Sequence, residues 1–461
     1  MGKKIERFIK KIDHGIQSNI SSILIIISCV LFFRLGFAIY RYGVNLFMHD
    51  AWARNLGFIK DQTFFSLFFQ QDAGMIQGPS YILTYWLAHI TNFDARAEYW
   101  HSFVYLALAC WCLWRILKKK YPLSIVDMLV PLIIFTVRDH DTLFKNASAS
   151  YGAFPIFLVM LFCYVSIWNW GWHRVIISGI TLLFLLYSGY GYLALPACFL
   201  YLILEYFLVQ SSSKKNYVLL LMIWLVGISA VYLTNFDFSL LVDYPKQTAY
   251  QFSVSQLGAY GVHFFGYHMV RIPYLLQAQS DYVWFFLCAA AYGGGIVMFL
   301  KRKASFYFIP LICMTYTVLF VVANAFGRVS IGVSAAEAFR YEMHLIPFFI
   351  GVFFLLKQMK QRVWKVLVFC LFLSTMIYRE FSYALIVPQG YPKNVVGVQK
   401  EFKICVQQGQ AVDGCEKNAG VDIFLDAYGH RLTEKPEYAA FLQYLKERKA
   451  NLYAPDRKYP Y

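Results

Sequence analysis

Charged side chains are scarce in this sequence. Asp, Glu, Lys and Arg make up 15% of its 461 residues, whereas they make up about 25% of an average soluble domain. Hydrophobic residues account for 59%, and long apolar runs recur along most of the chain. Such runs fit membrane-spanning helices, which need roughly 20 residues each. The runs are continuous and do not alternate, which excludes a transmembrane β-barrel.

Acidic residues are the scarcer of the two charged classes. The chain has 26 Asp and Glu against 42 Lys and Arg, which gives a formal net charge of +16. We do not expect nucleic acid as a partner, because the basic residues form short clusters between apolar runs and not one continuous stripe. Cytoplasmic loops of membrane proteins carry this kind of basic excess. The distribution predicts a cytoplasmic N-terminus and a C-terminus on the opposite side of the membrane.

The sequence also lacks the signatures of nucleotide-binding proteins. It has no Walker loop and no GxGxxG motif. The segments predicted to face the cytoplasm are short and basic, with no room for a nucleotide-binding domain. No small-residue cleavage site follows the first apolar run, which is therefore predicted to be a retained helix and not a signal peptide. We expect any chemistry on the outer face.

The apolar runs predict an all-α polytopic membrane protein with about eleven spans. Residues 174–209 hold two of these spans, with a break near the sequence YSGYGY. The other nine are predicted at about 19–40, 98–117, 122–137, 152–168, 216–234, 283–300, 304–324, 342–356 and 364–379. This pattern defines a transmembrane domain over residues 1–380 and a small periplasmic tail over residues 381–461.

The predicted external loops cover about 41–97, 138–151, 235–282 and 325–341. The first of them contains GPSYILTYWLAHITNF (78–93), which is apolar but only about sixteen residues long. A span there would place the basic cluster at 118–120 outside the membrane. We therefore predict a juxtamembrane helix that lies along the outer membrane surface, with Trp86 at the interface.

Ten cysteines divide into two groups. Eight lie inside apolar runs, where cysteine usually acts as a small buried hydrophobe. Cys405 and Cys415 lie in the polar tail. Since the tail is predicted to occupy an oxidising compartment, we expect these two cysteines to form a disulfide.

Acidic residues of the external loops are candidates for catalysis. Asp50 follows the first span by about ten residues, and a partly buried carboxylate at such a position can act as a general base. A solvated loop acid is the alternative. Asp139 and Asp141 flank a histidine, and side chains of these types can bind a divalent metal ion. A polar helix cap is the simpler interpretation. No other cofactor is predicted.

Arginines near the outer ends of the spans are candidates for binding phosphate. Arg328 and Arg340 flank the predicted loop 325–341, and their forked donors suit a phosphate or pyrophosphate. Contact with lipid headgroups explains the same positions equally well. Arg34 lies inside the first span, where a charge is costly and often functional.

Two segments resemble the GT-C superfamily of membrane glycosyltransferases. The first is GPSYILTYWLAHITNFDARAEYWHSFVYLALACWCLWRILKKKYP, which looks like the first-loop signature of aminoarabinose transferases and protein O-mannosyltransferases. The second is AFRYEMHLIPFFIG, which is similar to the start of a late helix in that superfamily. The resemblance implies a GT-C-like fold with a long first external loop that carries juxtamembrane helices.

The resemblance also implies roles for individual residues. In the superfamily, an acidic residue shortly after the first helix is the usual base, and Asp50 occupies that position here. His49 stands where the first of two paired acids is usual, so Asp72 in QQDAG remains a competing base. A polyprenyl-phosphate sugar is the usual donor. The residues available to bind its phosphate are Arg328, Arg340 and Tyr341. Those available to bind the acceptor or the sugar faces are His49, Trp52, Trp86, Asp139 and Asp141.

The size and layout are similar to those of serotype-converting glycosyltransferases of bacteria and their phages. This predicts an inverting hexosyltransferase of the bacterial inner membrane that modifies lipopolysaccharide O-antigen on the periplasmic face. An O-antigen polymerase or ligase is the alternative among enzymes, and it would rely more on arginines than on an acid after the first span. A membrane transporter is the alternative from another class, but it would favour internal repeats and broken helices at the midplane.

Overall fold

The computed structural model describes residues 2–47, 50–59, 62–72, 75–136, 149, 151–209, 211–237, 253–269, 274–302, 308–328, 332–337, 339–359, 362–386, 393–419 and 436–454. Within helices and strands, the side chains of residues 2–18, 50, 53, 72, 274–278, 301–302, 339–340, 362–364, 381–386 and 393–396 are outside this description. The described chain is helical almost throughout.

Eighteen α-helices occur in the described residues. The first ten are α1 Gly2–Tyr42, α2 Asp50–Phe58, α3 Phe64–Phe68, α4 Gly78–Ile90, α5 Arg96–Lys120, α6 Leu129–Ile134, α7 Ala153–Ser166, α8 Trp172–Leu186, α9 Leu195–Leu208 and α10 Ser212–Asn235. The other eight are α11 Val254–Met269, α12 Tyr274–Arg302, α13 Ile309–Arg328, α14 Ile346–Gln358, α15 Arg362–Ile386, α16 Lys393–Gln407, α17 Val412–Ala419 and α18 Pro436–Glu447. The described 3-10 helices are Ile125–Met128, Gly189–Ala194, Val333–Glu337, Phe339–Leu345 and Asn451–Tyr453.

Six helical segments are long and apolar enough to cross a membrane. They are Asn19–Tyr42, Arg96–Lys120, Gly189–Leu208, Ser212–Asn235, Gln279–Leu300 and Ile309–Arg328. Three shorter apolar helices cover Ile125–Ile134, Ala153–Ser166 and Trp172–Leu186. The chain is thus an all-α multi-pass membrane protein. Each of the eleven predicted segments contains a described helix, but the total of eleven spans stays a prediction.

The break predicted inside residues 174–209 separates α8 from α9. Between them lies the 3-10 helix Gly189–Ala194, and Gly189 has a φ of 47°, which favours glycine. A Cβ atom on Gly191 would clash with the carbonyl oxygen of Leu185. The two glycines therefore allow the chain to turn closely against the end of α8 before α9 begins.

The predicted loop 235–282 is more helical than the sequence indicates. It contains α11, and α12 begins at Tyr274, whereas the span was predicted from about 283. Gly266 lies so close to Asp281 that a Cβ atom there would clash with the Asp281 backbone. This close approach lets α11 and α12 pack tightly against each other.

Two ends of the helical bundle can be distinguished by their connections. We call the end that carries residues 43–95 the loop end, and the end that carries Lys118–Lys120 the basic end. At the basic end, Lys357 Nζ lies 2.9 Å from Asp127 Oδ1 and 2.9 Å from Ser124 Oγ. This contact joins the end of α14 to the 3-10 helix that precedes α6.

At the loop end, the first loop and the C-terminal tail fold together. We call the described parts of residues 43–95 and 393–454 the loop layer. Asn451 is buried, accepts a hydrogen bond from Phe47 N at 3.3 Å and donates one to Phe93 O at 3.0 Å. Lys403 Nζ lies 3.5 Å from Asn45 O. Segments separated by more than 350 residues in sequence therefore share one small core.

A two-stranded antiparallel hairpin is the one sheet in the described chain. Strand β1 (Gln71–Asp72) pairs with β2 (Met75–Ile76), and Gln71 lies opposite Ile76. The prediction of an all-α protein did not include it. Two residues per strand are too few for sequence periodicity to indicate a strand.

Candidate functional site

Asp50, the proposed base, is the first residue of α2. An acidic residue is favourable at this end of a helix, where the backbone N–H groups give a partial positive charge. The side chain of Asp50 is outside the described residues. The position of α2 itself is well defined, because its later residues pack into the loop layer.

Trp52 packs α2 against the core of the loop layer. Its side chain is fully buried, and its ring lies edge-on to Phe47 at 5.5 Å and to Phe441 of the tail at 5.9 Å between centroids. No face of this ring is exposed for a sugar to stack on. Its burial gives Trp52 a packing role between the first loop and the tail, in place of the sugar contact that the sequence suggested.

A buried ion pair connects α2 to the start of α5. Arg54 Nη2 lies 2.6 Å from Glu98 Oε2, and the side chains are 10% and 9% exposed. Charges withdrawn from water are costly unless they are paired. The pair therefore holds α2, with Asp50 at its first position, against the end of a candidate span.

Asp72, the competing base, lies in the hairpin. Its neighbour Gln71 accepts a hydrogen bond from Asp237 N at 2.8 Å and donates one to Asp237 O at 3.0 Å. The hairpin is thereby attached to the chain just beyond α10. The side chains of Asp72 and Asp50 are outside the described residues, and both acids stay predicted bases.

Helix α4 occupies the predicted juxtamembrane segment 78–93. Its N-terminus is fixed because Gly78 packs against the carbonyl oxygen of Tyr187, where a Cβ atom would clash. One side of α4 contacts α2, since the ring of Tyr85 lies 5.4 Å from that of Phe58. Trp86 is 58% exposed. It lies on a stripe of exposed apolar side chains that also contains Leu83 and Ile90.

A polar cluster lies beside the N-terminus of α4, among buried aromatic rings. Gln77 donates a hydrogen bond to the Tyr151 hydroxyl, and His101 Nε2 lies 2.8 Å from the Tyr105 hydroxyl. Ser80 and Ser102 are also buried here. This arrangement joins α4, α5 and the start of α7 at the loop end.

His263 of α11 is held between two carboxylates. Its Nδ1 lies 2.6 Å from Asp281 Oδ2, and its Nε2 lies 3.0 Å from Glu337 Oε1. The hydrogen bond to Asp281 raises the pKa of the imidazole above its ordinary value, and the contribution of burial is opposite and smaller. A protonated His263 therefore donates to both carboxylates and ties α11 to α12 and to the helix Val333–Glu337.

Arg34, unusual in sequence because it lies within a span, has carboxylate and carbonyl partners. Its Nη2 donates to Glu380 Oε2 at 2.9 Å and to Phe135 O at 3.0 Å. Thr136 donates a hydrogen bond to the other oxygen of Glu380. The carboxylate of Glu380 thus joins α1, α15 and the residues that follow α6, so a structural role for Arg34 follows from its contacts.

Glu342, the last residue of the sequence AFRYE, belongs to a second ion pair inside the bundle. Arg379 Nη2 lies 2.7 Å from Glu342 Oε1, and both side chains are buried. Tyr341 is buried as well, with its ring 5.9 Å from that of Phe320. Arg328 is the last residue of α13 and is partly exposed. The backbone of Arg340 lies in the helix Phe339–Leu345, and its side chain is outside the described residues.

Three predicted site residues lie outside the described chain, and the predicted disulfide is present. His49, Asp139 and Asp141 lie outside the described residues, so a metal at Asp139 and Asp141 stays a prediction. Among described residues, no group of three His, Cys, Asp or Glu side chains is arranged to hold a metal ion. Cys405 and Cys415 are joined by a disulfide across ten residues of the tail.

Sequence reasoning missed most of the charged residues that the structure brings into pairs, among them Glu98, His263, Asp281 and Glu342. Glu98 and Asp281 each stand at the start of a long apolar run, and such an acid in a nearly uncharged segment is a signal for a buried partner. No local pattern indicates which residue that partner is, because the pairs join distant parts of the chain.

Comparison with protein-family models, with curated proteins and with solved structures finds no match for this chain.

Proposed function

We propose that this protein is an inverting glycosyltransferase that moves a sugar from a polyprenyl-phosphate donor to a glycan acceptor. The observation that carries the proposal is the loop layer, which places Asp50 at the start of α2 beside a candidate span. A lipid-linked donor has its phosphate at the membrane surface. An enzyme that uses it needs a folded layer at that surface and a base close to the ends of its spans.

Helix α4 supports this proposal independently of Asp50. It connects the loop layer to the start of α5 and exposes an apolar stripe of Leu83, Trp86 and Ile90. An exposed apolar stripe that includes a tryptophan suits the interface between headgroups and acyl chains. The resemblance to GT-C glycosyltransferases implies such a helix in the first loop, at the place where α4 lies.

In the proposed reaction, Asp50 takes the proton from the acceptor hydroxyl as its oxygen attacks the anomeric carbon of the donor. The bond from that carbon to the phosphate oxygen breaks, and the configuration inverts. A carboxylate suits this role because it holds a negative charge near neutral pH and still accepts a proton in the transition state. Asp72 is the alternative base. Arg328 and Arg340 are the proposed partners of the leaving phosphate.

The donor chemistry requires the loop end to face the periplasm of a bacterial inner membrane. Basic residues at the opposite end favour this orientation. A cysteine at the exposed position Glu401 should then react with a membrane-impermeant thiol reagent added outside the inner membrane, above the level of the unmodified chain. A cysteine at the exposed position Ser213 should react only after the membrane is opened. The reverse pattern would overturn the orientation.

Mass spectrometry of surface glycans tests the proposed activity. Cells with and without the gene should differ by one hexose per repeat of the lipopolysaccharide O-antigen, which is the acceptor that we propose. A change in glycan chain length without a new sugar would indicate a polymerase or ligase. Identical glycans in both cells would contradict the proposal.

A transporter is the second candidate because two ion pairs lie within the helical bundle. Arg34 with Glu380 and Arg379 with Glu342 are charged groups of the kind that mark ion or substrate pathways in membranes. Both are well paired, however, and Arg379 also lies over the ring of Phe349 at 4.4 Å. Such pairing fits a structural role, so we favour the glycosyltransferase.

A further inference from the structure

A cavity of about 380 Å³ opens at the basic end, away from the loop layer. Its lining is formed by Arg115, Lys118, Lys119, Tyr164 and Trp168. The first three belong to the last turns of α5. Tyr164 lies near the end of α7, and Trp168 follows that helix by two residues. Residues three and four positions apart share one face of a helix, so the three cations of α5 converge on the same side.

Aromatic side chains position the arginine of this cavity. Arg115 Nε donates to the Tyr164 hydroxyl at 3.3 Å, and Arg115 Cζ lies 5.8 Å from the centroid of Trp111. Tyr164 in turn packs edge-on against Trp111 at 5.5 Å and Trp168 at 5.3 Å. The guanidinium group is thus held in one place before any ligand binds, which lowers the entropy lost on binding.

No carboxylate of the described residues neutralises these three cations. Two acids of the basic end pair elsewhere: Asp127 with Lys357 at 2.9 Å, and Glu205 with Arg174 at 3.7 Å. Three positive charges therefore surround a cavity with no negative charge in its lining. An anion is the ligand that this arrangement favours.

The surroundings of the cavity indicate a ligand that comes from the membrane. Trp111, whose ring packs against the lining residue Tyr164, is an exposed apolar side chain of the candidate span α5. Leu108, one helical turn earlier, is exposed as well. A lipid whose headgroup enters the cavity can keep its acyl chains along this face. Basic pockets at the ends of membrane helices are suited to phosphate-bearing headgroups for this reason.

We propose that this cavity binds the phosphate headgroup of an anionic phospholipid. Arg115 supplies forked donors to the phosphate, while Lys118 and Lys119 supply two further charges. The aromatic rings of Tyr164 and Trp168 form the wall on the α7 side. The site is separate from the proposed sugar transfer, and it does not depend on that activity.

The test uses the full chain in nanodiscs of phosphatidylcholine, with and without phosphatidylglycerol. Phosphatidylglycerol should raise the Tm of the unmodified protein, because a ligand that binds the folded state stabilises it. In native mass spectrometry, Lys118→Gln/Lys119→Gln should bind phosphatidylglycerol about thirtyfold more weakly, since each basic residue near an anionic membrane contributes roughly fivefold. Both substitutions lie on exposed side chains.

Lys214→Gln/Lys215→Gln is the matched control, because it removes the same charge from the start of α10 at the same end. It should retain binding. Equal weakening in both double variants would mean a general surface-charge effect and would overturn the proposal. So would a Tm increase produced fully by inorganic phosphate alone, which would identify a free anion as the ligand. Absence of any response to phosphatidylglycerol would also overturn it.

Discussion

The two ends of the helical bundle are built differently. At the basic end, short connections join successive helices, as between α7 and α8 or between α9 and α10. At the loop end, residues 43–95 fold into three helices and a hairpin, and the tail adds three more helices to the same layer. Buried polar contacts such as those of Asn451 hold this layer together.

This difference supports the loop end as the place of the proposed chemistry. A layer that buries Arg54, Glu98 and Asn451 is costly to assemble, because each polar group must find a partner when it leaves water. Loops of this size generally carry function when they are folded onto a rigid scaffold. The basic end exposes cations on short connections, which suits contact with lipid headgroups.

The largest expected loss of stability comes from breaking the ion pair between α2 and α5. Arg54→Ala or Glu98→Gln should each cost about 3–5 kcal/mol, because one buried group is left without its partner. We expect the double variant Arg54→Met/Glu98→Gln to recover part of the lost stability, because it leaves no unpaired charge. Thermal unfolding in detergent measures the loss, and limited proteolysis should show earlier cleavage in residues 43–95.

The pair of Lys357 with Asp127 at the basic end is the control. Lys357→Met should also lower the Tm, yet leave proteolysis of the loop layer unchanged at temperatures below unfolding. If Lys357→Met releases the loop layer as readily as Arg54→Ala, the two ends are not independent in the way we describe.

A smaller effect is expected from removing the disulfide. Cys405→Ser/Cys415→Ser should destabilise the tail by about 2–3 kcal/mol, the chain-entropy value for a loop of this length. Hydrogen exchange should detect the change in α16 and α17 and not in the spans. Cys370→Ser, at an exposed free cysteine of α15, is the control. Identical hydrogen exchange in all three proteins would mean that the disulfide does not stabilise the tail.

Part of this architecture could be predicted from sequence, because it depends on local composition. The helix predicted in residues 78–93 and the break predicted in 174–209 appear as α4 and as the helix Gly189–Ala194. Apolar length and the glycines near position 190 carry these signals. The helices α6, α7 and α8 are apolar but shorter than a full span, so their crossing of the membrane stays a prediction.

The assembly of the loop end could not be predicted, because it depends on contacts between distant residues. Nothing near Trp52 in sequence indicates that Phe441 will cover its ring. The same holds for Arg54, whose partner Glu98 lies in the next long helix. An aromatic or charged residue in a loop is consistent with either ligand binding or packing until its neighbours are known.

The smallest expected effect is a pH dependence at His263. Its folded-state pKa is raised, so its stabilising contribution is complete below the ordinary histidine pKa of about 6.5 and is lost as pH rises through the folded-state value. Protein stability should therefore fall as pH increases above about 6.5. His263→Gln should flatten this part of the Tm profile, and His173→Gln should not. Parallel profiles in all three proteins would exclude the contribution.

Sugar transfer by Asp50→Asn tests the central claim most directly. The substitution keeps the shape of the side chain and removes its basicity, and loss of a general base commonly costs about a hundredfold to ten-thousandfold in rate. Membranes that contain this variant should hold normal amounts of folded protein but transfer almost no sugar from a polyprenyl-phosphate donor to the acceptor glycan. Asp61→Asn, in the same loop, should remain near the unmodified rate. Retention of most activity by Asp50→Asn, with loss of activity in Asp72→Asn, would contradict the account and place the base in the hairpin.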